Sequence, residues 1–245
     1  MNSFGITDRG KVRLENQDSF IIERFDDRNA VLAVLCDGMG GERAGNLASE
    51  LAAKTFVSTF SQRLNSSSLK NPDCIEMMGN ACEAANNMVY SYSCFDKGYT
   101  GMGTTLVAAL LIGNRTFILN VGDSRAYKIS KNKIKQISRD HSLVQELIDN
   151  GEITQDEAKI HPRRSVITRA LGVNEQVPFD MFRPLVFPGN KILLCSDGLS
   201  NMVEDSEILE LSQINTDPLS LGNALLYKAM DRGARDNVTI VIITK

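Results

Sequence analysis

Short apolar runs alternate along this chain with polar, turn-forming segments, and the spacing within each run predicts its secondary structure. Several runs are nearly continuous in Val, Ile and Leu, which indicates strands that are buried on both faces. Strands are predicted at residues 17–25, 30–36, 104–112, 115–121, 124–129, 133–137, 178–186, 191–195 and 237–243.

Apolar residues at helical spacing predict two long helices, each with one apolar stripe, at residues 44–64 and 73–95. Residues 61–73 are interpreted as the connection between them. Capping residues predict four shorter helices. These lie at residues 141–150, closed by Gly151; at 155–160, with Thr154 and Glu157 as a capping box; at 206–214, behind Asp205; and from Asp217-Pro218 to Gly233.

The order of these elements predicts an α+β fold with sheets inside and helices outside, in one domain that spans residues 1–245. Strands 104–112, 115–121 and 124–129 follow one another too closely for helical crossovers, so antiparallel pairing is predicted. The 245 residues are 42% hydrophobic, which suffices for a sizeable core, and no repeat or long linker divides them.

Charge and composition exclude several classes of protein. The formal net charge of −3 provides no basic field for nucleic acid. The amino terminus lacks a charged segment followed by an apolar one, and no apolar run approaches the ~20 residues of a membrane span. We therefore expect a cytoplasmic, soluble monomer without membrane insertion.

Cysteine and histidine usage narrows the choice of metal. The five cysteines form no C-x-x-C pair, so a disulfide framework or a zinc ribbon is not expected. Only two histidines are present, which disfavours a histidine-rich transition-metal site. Any metal in this protein should be held by oxygen.

Four aspartates stand where an apolar run meets a glycine, an asparagine or a serine, namely Asp37, Asp123, Asp197 and Asp236. Together with Asp18 they suggest carboxylates gathered at one rim of a β-core. Like charges that close repel one another unless cations lie between them. Taken singly, each aspartate is better explained as a turn or cap residue. Their common placement favours a site for magnesium or manganese.

Two segments beside these aspartates have alternative interpretations. The segment Asp37-Gly-Met-Gly-Gly41 is either a plain strand-to-helix turn or a place where the backbone approaches an ion. Arg13 lies in a polar stretch and is either a surface arginine or a planar fork for two phosphate oxygens.

A series of short motifs runs in order from about residue 4 to residue 243. The motifs are Thr7-Asp8 with Arg13, Asn16-Gln-Asp18, Asp37-Gly-Met-Gly-Gly41, Gly103-Thr-Thr105, Gly122-Asp-Ser-Arg125, Thr168-Arg-Ala-Leu-Gly172, Ser196-Asp-Gly-Leu199 and Asp236-Asn-Val-Thr239. In order and spacing the chain resembles the metal-dependent type 2C serine/threonine protein phosphatases, and closely resembles a short bacterial member of that family.

The resemblance implies two central antiparallel sheets flanked by helices, with a two-metal centre of Mn²⁺ or Mg²⁺ at one edge. Asp37 is similar to the family's bridging carboxylate and Gly38 to its carbonyl ligand. Asp197 and Asp236 resemble the remaining carboxylates of the pair. Asp123 is similar to the ligand that, with Asp197, holds a weaker third metal in bacterial members.

The resemblance also implies roles outside the ligand set. Asp18 is similar to the acid that orients metal-bound water, and Arg13 to the phosphate clamp. Residues 139–165 correspond to the family's flap, which is either a solvated loop or a mobile lid that meets the phosphoprotein. Met39 departs from the histidine of many eukaryotic members, so this position cannot supply the proton for the leaving group.

The function implied is hydrolysis of phosphoserine and phosphothreonine in proteins by a metal-activated water. From the family we expect phosphorylated proteins as partners, among them a bacterial serine/threonine kinase. A catalytically silent binding module with the same fold, and a hydrolase of small phosphoesters or nucleic acid, are the alternatives. Retention of the ligand aspartates argues against a silent binding module. The acidic net charge and the absence of tryptophan argue against a hydrolase of small phosphoesters or nucleic acid.

Overall fold

The computed structural model describes residues 1–41, 44–67, 73–95 and 97–245. Part of the predicted connection 61–73 therefore lies outside the described residues. In the described part, no helix is both long enough and apolar enough to cross a membrane.

The strands form two antiparallel sheets, as predicted. They are β1 (Asn2–Asp8), β2 (Asp18–Phe25), β3 (Ala30–Met39), β4 (Gly103–Thr104), β5 (Leu106–Ile112), β6 (Arg115–Val121), β7 (Arg125–Ser130), β8 (Lys133–Gln136), β9 (Asp180–Phe182), β10 (Lys191–Cys195) and β11 (Val238–Thr244). One sheet, called sheet 1 below, has the order β1-β11-β10-β7-β8. The other, sheet 2, has the order β2-β3-β5-β6-β9, with β4 paired to β3.

The helices of the described residues lie on the outer faces of the two sheets or beside one rim of the sandwich. They are α1 (Ala44–Ser66), α2 (Cys74–Phe95), α3 (Leu143–Asp149), α4 (Gln155–Ile160), α5 (Asp197–Ser200), α6 (Asp205–Ile214) and α7 (Pro218–Asp231). Helices α1 and α2 pack on sheet 2, and α6 and α7 pack on sheet 1. The α+β sandwich predicted from the sequence is confirmed.

Alternation along β3 shows how the layers are built. Val31, Ala33 and Leu35 face sheet 1 in the core between the sheets. Leu32 and Val34 face the opposite way, into the core under α1 and α2. Because both faces of the strand are covered here, residues 30–36 are apolar without interruption, which is the pattern seen in the sequence.

The structure corrects the prediction that strands 115–121 and 124–129 pair with each other. β6 belongs to sheet 2 and β7 to sheet 1, so the short segment between them crosses from one sheet to the other. Gly122 makes this corner with φ +103, and a Cβ atom there would lie 2.6 Å from Thr105 Cγ2. Asp123 therefore lies at a corner between the sheets and not in a hairpin turn.

Other differences have local causes. The predicted strand 178–186 is limited to β9, since Pro178 and Pro184 cannot donate to a ladder. Strand 30–36 continues to Met39, because Gly38 and Met39 pair with β4. The helix predicted at 206–214 includes Asp205, and Glu204 is its N-cap. Strand β1 was not predicted.

Candidate active site

The five aspartates singled out in the sequence lie at one rim of the sandwich. Asp18 begins β2 and stands directly opposite Asp37 of β3 in the strand pairing. Asp197 is the first residue of α5, two residues after the end of β10, and Asp236 lies two residues before the start of β11. The burial of Asp37 raises the pKa of its carboxyl well above the usual value, and the charges of the other four raise it further.

The pKa values of three more carboxyls are raised, and burial is the largest cause for each. Burial and then the charge of Asp123 raise the pKa of Asp197 to about 8. The pKa of Asp18 rises to about 6, mainly through burial, with a further contribution from Asp236. For Asp123, burial and then the charge of Asp140 raise it to about 6. The raised pKa values mean that the positive charge near these carboxyls is too small to offset their burial and mutual repulsion.

Unpartnered oxygens provide a test of whether the site suits a metal ion. Oδ1 of Asp18 and Oδ1 of Asp197 are buried without a hydrogen-bond partner among the described residues. In that part of the chain, no group of three or more His, Cys, Asp and Glu side chains is placed so that it could hold a metal ion by itself. Magnesium and manganese retain several waters and need few protein ligands, so the oxygen donors fit these ions.

Asp18 is oriented from the opposite sheet. The Ser196 hydroxyl, at the end of β10, donates to Asp18 Oδ2 at 2.8 Å. The same hydroxyl accepts from the backbone N–H of Thr239 in β11 at 2.9 Å. The hydroxyl is buried, so the orientation of this carboxylate depends on both sheets being in place.

Close backbone approaches explain two glycines at the rim. A Cβ atom on Gly38 would lie 2.0 Å from the carbonyl oxygen of Gly45 in α1. One on Gly198 would lie 2.0 Å from the carbonyl oxygen of Asn237. Any side chain at either position would push the aspartate before it away from the rim.

Arg13 contacts the site directly. Its Nη2 donates to Asp236 Oδ2 at 2.7 Å, and its side chain is 54% exposed. The hydrogen bond to Asp236 is the main cause that raises the pKa of the guanidinium. The exposed side of Arg13 is thus held beside the aspartates, where a substrate can reach it.

Asn237 holds the loop that carries Arg13. Its side-chain oxygen accepts from the Gln17 N–H at 2.8 Å. Its amide nitrogen donates to the carbonyls of Arg9 and Glu15, each at 2.9 Å. In the sequence, Asn237 stood out only as a member of the motif Asp236-Asn-Val-Thr239, and its position beside Asp236, just before the final strand, was the available signal.

A hydroxyl pair connects two of the aspartate segments. The Asp37 backbone N–H donates to Thr105 Oγ1 at 2.9 Å, and Thr105 Oγ1 lies 2.7 Å from Ser124 Oγ. Both hydroxyls are buried. The segment of Asp123 is thereby fixed against the strand that carries Asp37.

His141 positions the corner at Gly122. Its Nδ1 accepts from the Gly122 N–H at 3.1 Å, and its backbone N–H donates to the Gly122 carbonyl at 2.9 Å. Nε2 lies 3.2 Å from Asp180 Oδ2. Burial is the main cause that lowers the pKa of the imidazole. These contacts give His141 a structural role at this corner.

The predicted flap borders the site. Residues 139–165 contain α3 and α4, and the predicted capping box of Thr154 and Glu157 is present. A cleft of 460 Å³ separates these helices from α5. It is lined by Asp123, Asp197 and flap residues that include Lys159 and Arg164.

Comparisons with known proteins agree with this arrangement. Residues 9–219 match the protein phosphatase 2C family. The serine/threonine phosphatase Stp of Listeria monocytogenes is 35% identical over 240 residues, which cover 98% of this chain and 94% of that protein. Among solved structures, Stp1 from Staphylococcus aureus has a TM-score of 0.89 at 36% identity, covering 99% of this chain and 94% of that one.

A further structure, the catalytic domain of the phosphatase PstP, was solved in complex with two manganese ions. It has a TM-score of 0.82 at 34% identity, and the similarity covers 98% of this chain and 96% of that chain.

Proposed function

The chain belongs to the protein phosphatase 2C family and is a serine/threonine protein phosphatase, and from this premise we propose that the aspartate rim is its catalytic metal centre. The observation that carries the proposal is the gathering of five aspartates at one rim, where the pKa values of Asp18, Asp37, Asp123 and Asp197 are raised. Two of these, Asp18 and Asp197, also have a buried oxygen without a hydrogen-bond partner among the described residues. The manganese complex of the similar PstP domain supports it.

In this proposal Asp37, Asp197, Asp236 and the Gly38 carbonyl hold two Mn²⁺ or Mg²⁺ ions, and Asp123 with Asp197 holds a weaker third. When bound, the ions supply water of lowered pKa and positive charge beside the phosphate.

The remaining roles belong to side chains of the chain itself. Asp18, held by Ser196, is an acceptor that orients water. Arg13 presents its exposed guanidinium edge to two phosphate oxygens, a geometry that suits its planar fork. Met39 has no proton to give, so the proton for the leaving serine or threonine comes from elsewhere at the site.

The substrates are phosphorylated proteins, and we propose that they include a serine/threonine kinase. We further propose that residues 1–245 act as one cytoplasmic, monomeric domain in which residues 139–165 form the flap. The alternatives of a silent binding module or a small-phosphoester hydrolase have no support from the similar proteins, which are named as serine/threonine phosphatases.

Phosphate release from a phosphothreonine peptide tests the function. We expect activity with added manganese or magnesium and its loss in excess chelator. Asp37→Ala, Asp197→Ala and Asp236→Ala should each abolish turnover while the protein stays folded by circular dichroism. Arg13→Ala should chiefly raise KM, because a clamp that holds phosphate equally in the ground and transition states affects binding more than chemistry.

Asp231→Ala provides the matched control, because it removes an exposed aspartate from the last turn of α7 and should leave the rate unchanged. Undiminished turnover after exhaustive metal removal would contradict the metal centre. Wild-type activity in any of the three rim variants would remove that residue from the site.

A further inference from the structure

Met39 lies beside the aspartate rim, on the same side of sheet 2 as Asp37. The pairing of β3 with β5 and then with β4 keeps one register from Leu35 to Met39, so the side chains alternate regularly over this stretch. Leu35 faces sheet 1, in the core between the sheets. Asp37 and Met39 therefore point to that side as well, with about 7 Å between their Cα atoms.

The side chain of Met39 lies over Gly103, its partner in the β3–β4 pairing. A Cβ atom on Gly103 would lie 2.7 Å from Met39 Cε and 3.1 Å from Val173 Cγ2. The methyl groups of Met39 and Val173 thus cover the same glycine. They form a small apolar surface, called the Met39–Val173 surface below, at the outer end of the strand that carries Asp37.

Both residues of this surface are accessible to solvent. Val173 is 46% exposed, and Met39 is partly exposed. The thioether of methionine is a soft ligand that does not suit magnesium or manganese, so Met39 does not belong to the proposed metal centre. Its unbranched side chain adapts to apolar partners of different shapes.

A buried asparagine fixes the segment that presents Val173. Asn86 of α2 is 2% exposed, and its Oδ1 accepts from the Gly172 N–H at 2.9 Å. Its Nδ2 donates to the carbonyls of Asn174 and Glu175, at 3.1 and 2.9 Å. Both neighbours of Val173 in the chain are therefore held in place while its side chain stays exposed. A surface that is already ordered loses little conformational freedom when a partner binds.

The spacing along β3 matches the spacing along an extended peptide. In an extended chain, side chains two residues apart point to the same side and are separated by about 7 Å. A substrate that runs along β3 with its phosphoryl group at Asp37 would thus bring the side chain two positions away to Met39. One short peptide segment would then contact both the polar rim and the apolar surface.

From these observations we propose that the Met39–Val173 surface binds an apolar side chain of the substrate, two residues from the phosphorylated serine or threonine. The inference rests on the proposed catalytic role of the aspartate rim and adds a preference among phosphoproteins to it. The surface consists of methyl and thioether groups, so contact with an aliphatic side chain is favourable and contact with a charged one is not.

Paired phosphothreonine peptides test the preference. One pair has leucine or serine two residues before the phosphothreonine, and the other pair has them two residues after it. With the full chain loaded with manganese, we expect kcat/KM to be about fivefold higher for leucine than for serine in one of the two pairs, which corresponds to partial burial of one aliphatic side chain. p-Nitrophenyl phosphate, which has no flanking residues, measures the activity of the rim by itself.

Two substitutions keep the approximate shape of a side chain and make it polar. Met39→Gln and Val173→Thr should each reduce the leucine preference to about twofold or less, whereas Met39→Leu should retain it. Leu219→Gln is the matched control and should keep the wild-type preference. Leu219 is 55% exposed and lies at the start of the 14-residue helix α7, about 20 Å along that helix from the end that leads to Asp236.

The methyl signals of methionine in nuclear magnetic resonance report the contact directly. The leucine peptide with a non-hydrolysable phosphonate analogue of phosphothreonine should shift the Met39 methyl signal, which is identified by its absence from Met39→Leu. The serine peptide should shift it less. If Met39 only fills the space over Gly103, Met39→Gln would lower the melting temperature and leave the preference unchanged.

Equal kcat/KM for leucine and serine peptides in both pairs, with the enzyme active, would overturn the proposed surface and leave the catalytic role of the rim intact. A preference that persists in both Met39→Gln and Val173→Thr would overturn it too. Failure to hydrolyse any peptide or p-nitrophenyl phosphate would instead contradict the proposed function. In that case the methyl signals decide on the surface, because equal shifts with the two phosphonate peptides, or none, would reject it.

Discussion

Asp123 lies in the short segment where the chain passes from sheet 2 to sheet 1. Because β6 and β7 lie in different sheets, the carboxylate lies at the rim where the sheets meet and is close enough to Asp197 to raise its pKa. In a hairpin turn the same side chain would have had one sheet beside it. The position supports the expectation that Asp123 and Asp197 share a metal ion.

Replacement of Asp123 separates a two-metal from a three-metal mechanism. We expect Asp123→Asn to retain the two tightly held ions and yet slow hydrolysis of a phosphothreonine peptide strongly, with only partial recovery at high manganese. Metal content of the dialysed protein and rate against manganese concentration are the measurements. Equal rates for variant and wild type at every concentration would leave Asp123 with a structural role only.

The aspartates at the rim could be predicted from the sequence because each one ends or begins an apolar run. The contacts that hold them could not. Ser196 meets Asp18 across 178 positions of sequence, and Asn237 meets Gln17 across 220. Such pairs depend on how the sheets stack, and the local pattern around Ser196 or Asn237 contains nothing that specifies the distant partner.

At the scale of elements, strands buried on both faces gave the clearest signal in the sequence, although the exposed edge strand β8 was also predicted. β5 and β10 are covered on both faces and were predicted to within a few residues. β1 is an edge strand of half-exposed residues, and β11 is its only partner among the described strands. Its few apolar residues gave a weak signal. The sheet crossing after β6 was missed because chain proximity favours a hairpin unless a corner residue intervenes.

Asn237 makes three hydrogen bonds to the loop between β1 and β2, so its removal has a specific consequence. Asn237→Ala deletes three hydrogen bonds to this loop, each worth about 1 kcal/mol. We expect a lower melting temperature and a raised KM for phosphopeptide, because Arg13 is no longer held beside Asp236. Steady-state kinetics and thermal unfolding measure the two effects.

Asn215→Ala is the control for that variant. Asn215 donates to the Leu211 carbonyl at the end of α6, far from Arg13 in the sequence and outside the loop. It should lower stability without a change in KM. An unchanged KM in Asn237→Ala would show that Arg13 does not depend on this anchor.

At the scale of the whole molecule, the aspartate rim should make the free energy of unfolding of the metal-free protein depend on pH. The folded-state pKa values of Asp18 and Asp123 are about 6 and that of Asp197 about 8, all above the usual 3.8. Between about pH 4 and pH 8 the folded protein therefore binds more protons than the unfolded chain. Stability falls as pH rises, by up to about 1.4 kcal/mol per pH unit for each such group.

Urea unfolding in chelator between pH 5 and pH 8 checks this expectation. The unfolding free energy should decrease with rising pH, and added magnesium should restore most of it at pH 8. Asp197→Asn should show a shallower decrease and a smaller gain from magnesium. A wild-type stability that is constant or increases over this range would contradict the raised pKa values.

The position of β11 late in the sequence has a consequence for when the proposed site can form during synthesis. β11 pairs with β1 at one side and β10 at the other, and it is immediately preceded by Asp236 and Asn237, which hold Arg13 and its loop. The β1–β11 pairing and the Arg13–Asp236 contact join residues that are among the farthest apart in the sequence. We therefore expect these contacts to form late in folding. During synthesis, a nascent chain that has not yet exposed β11 contains most of both sheets but has neither Asp236 nor an anchored Arg13. Because the proposed site needs both residues, we expect dephosphorylation to begin only after β11 has left the ribosome.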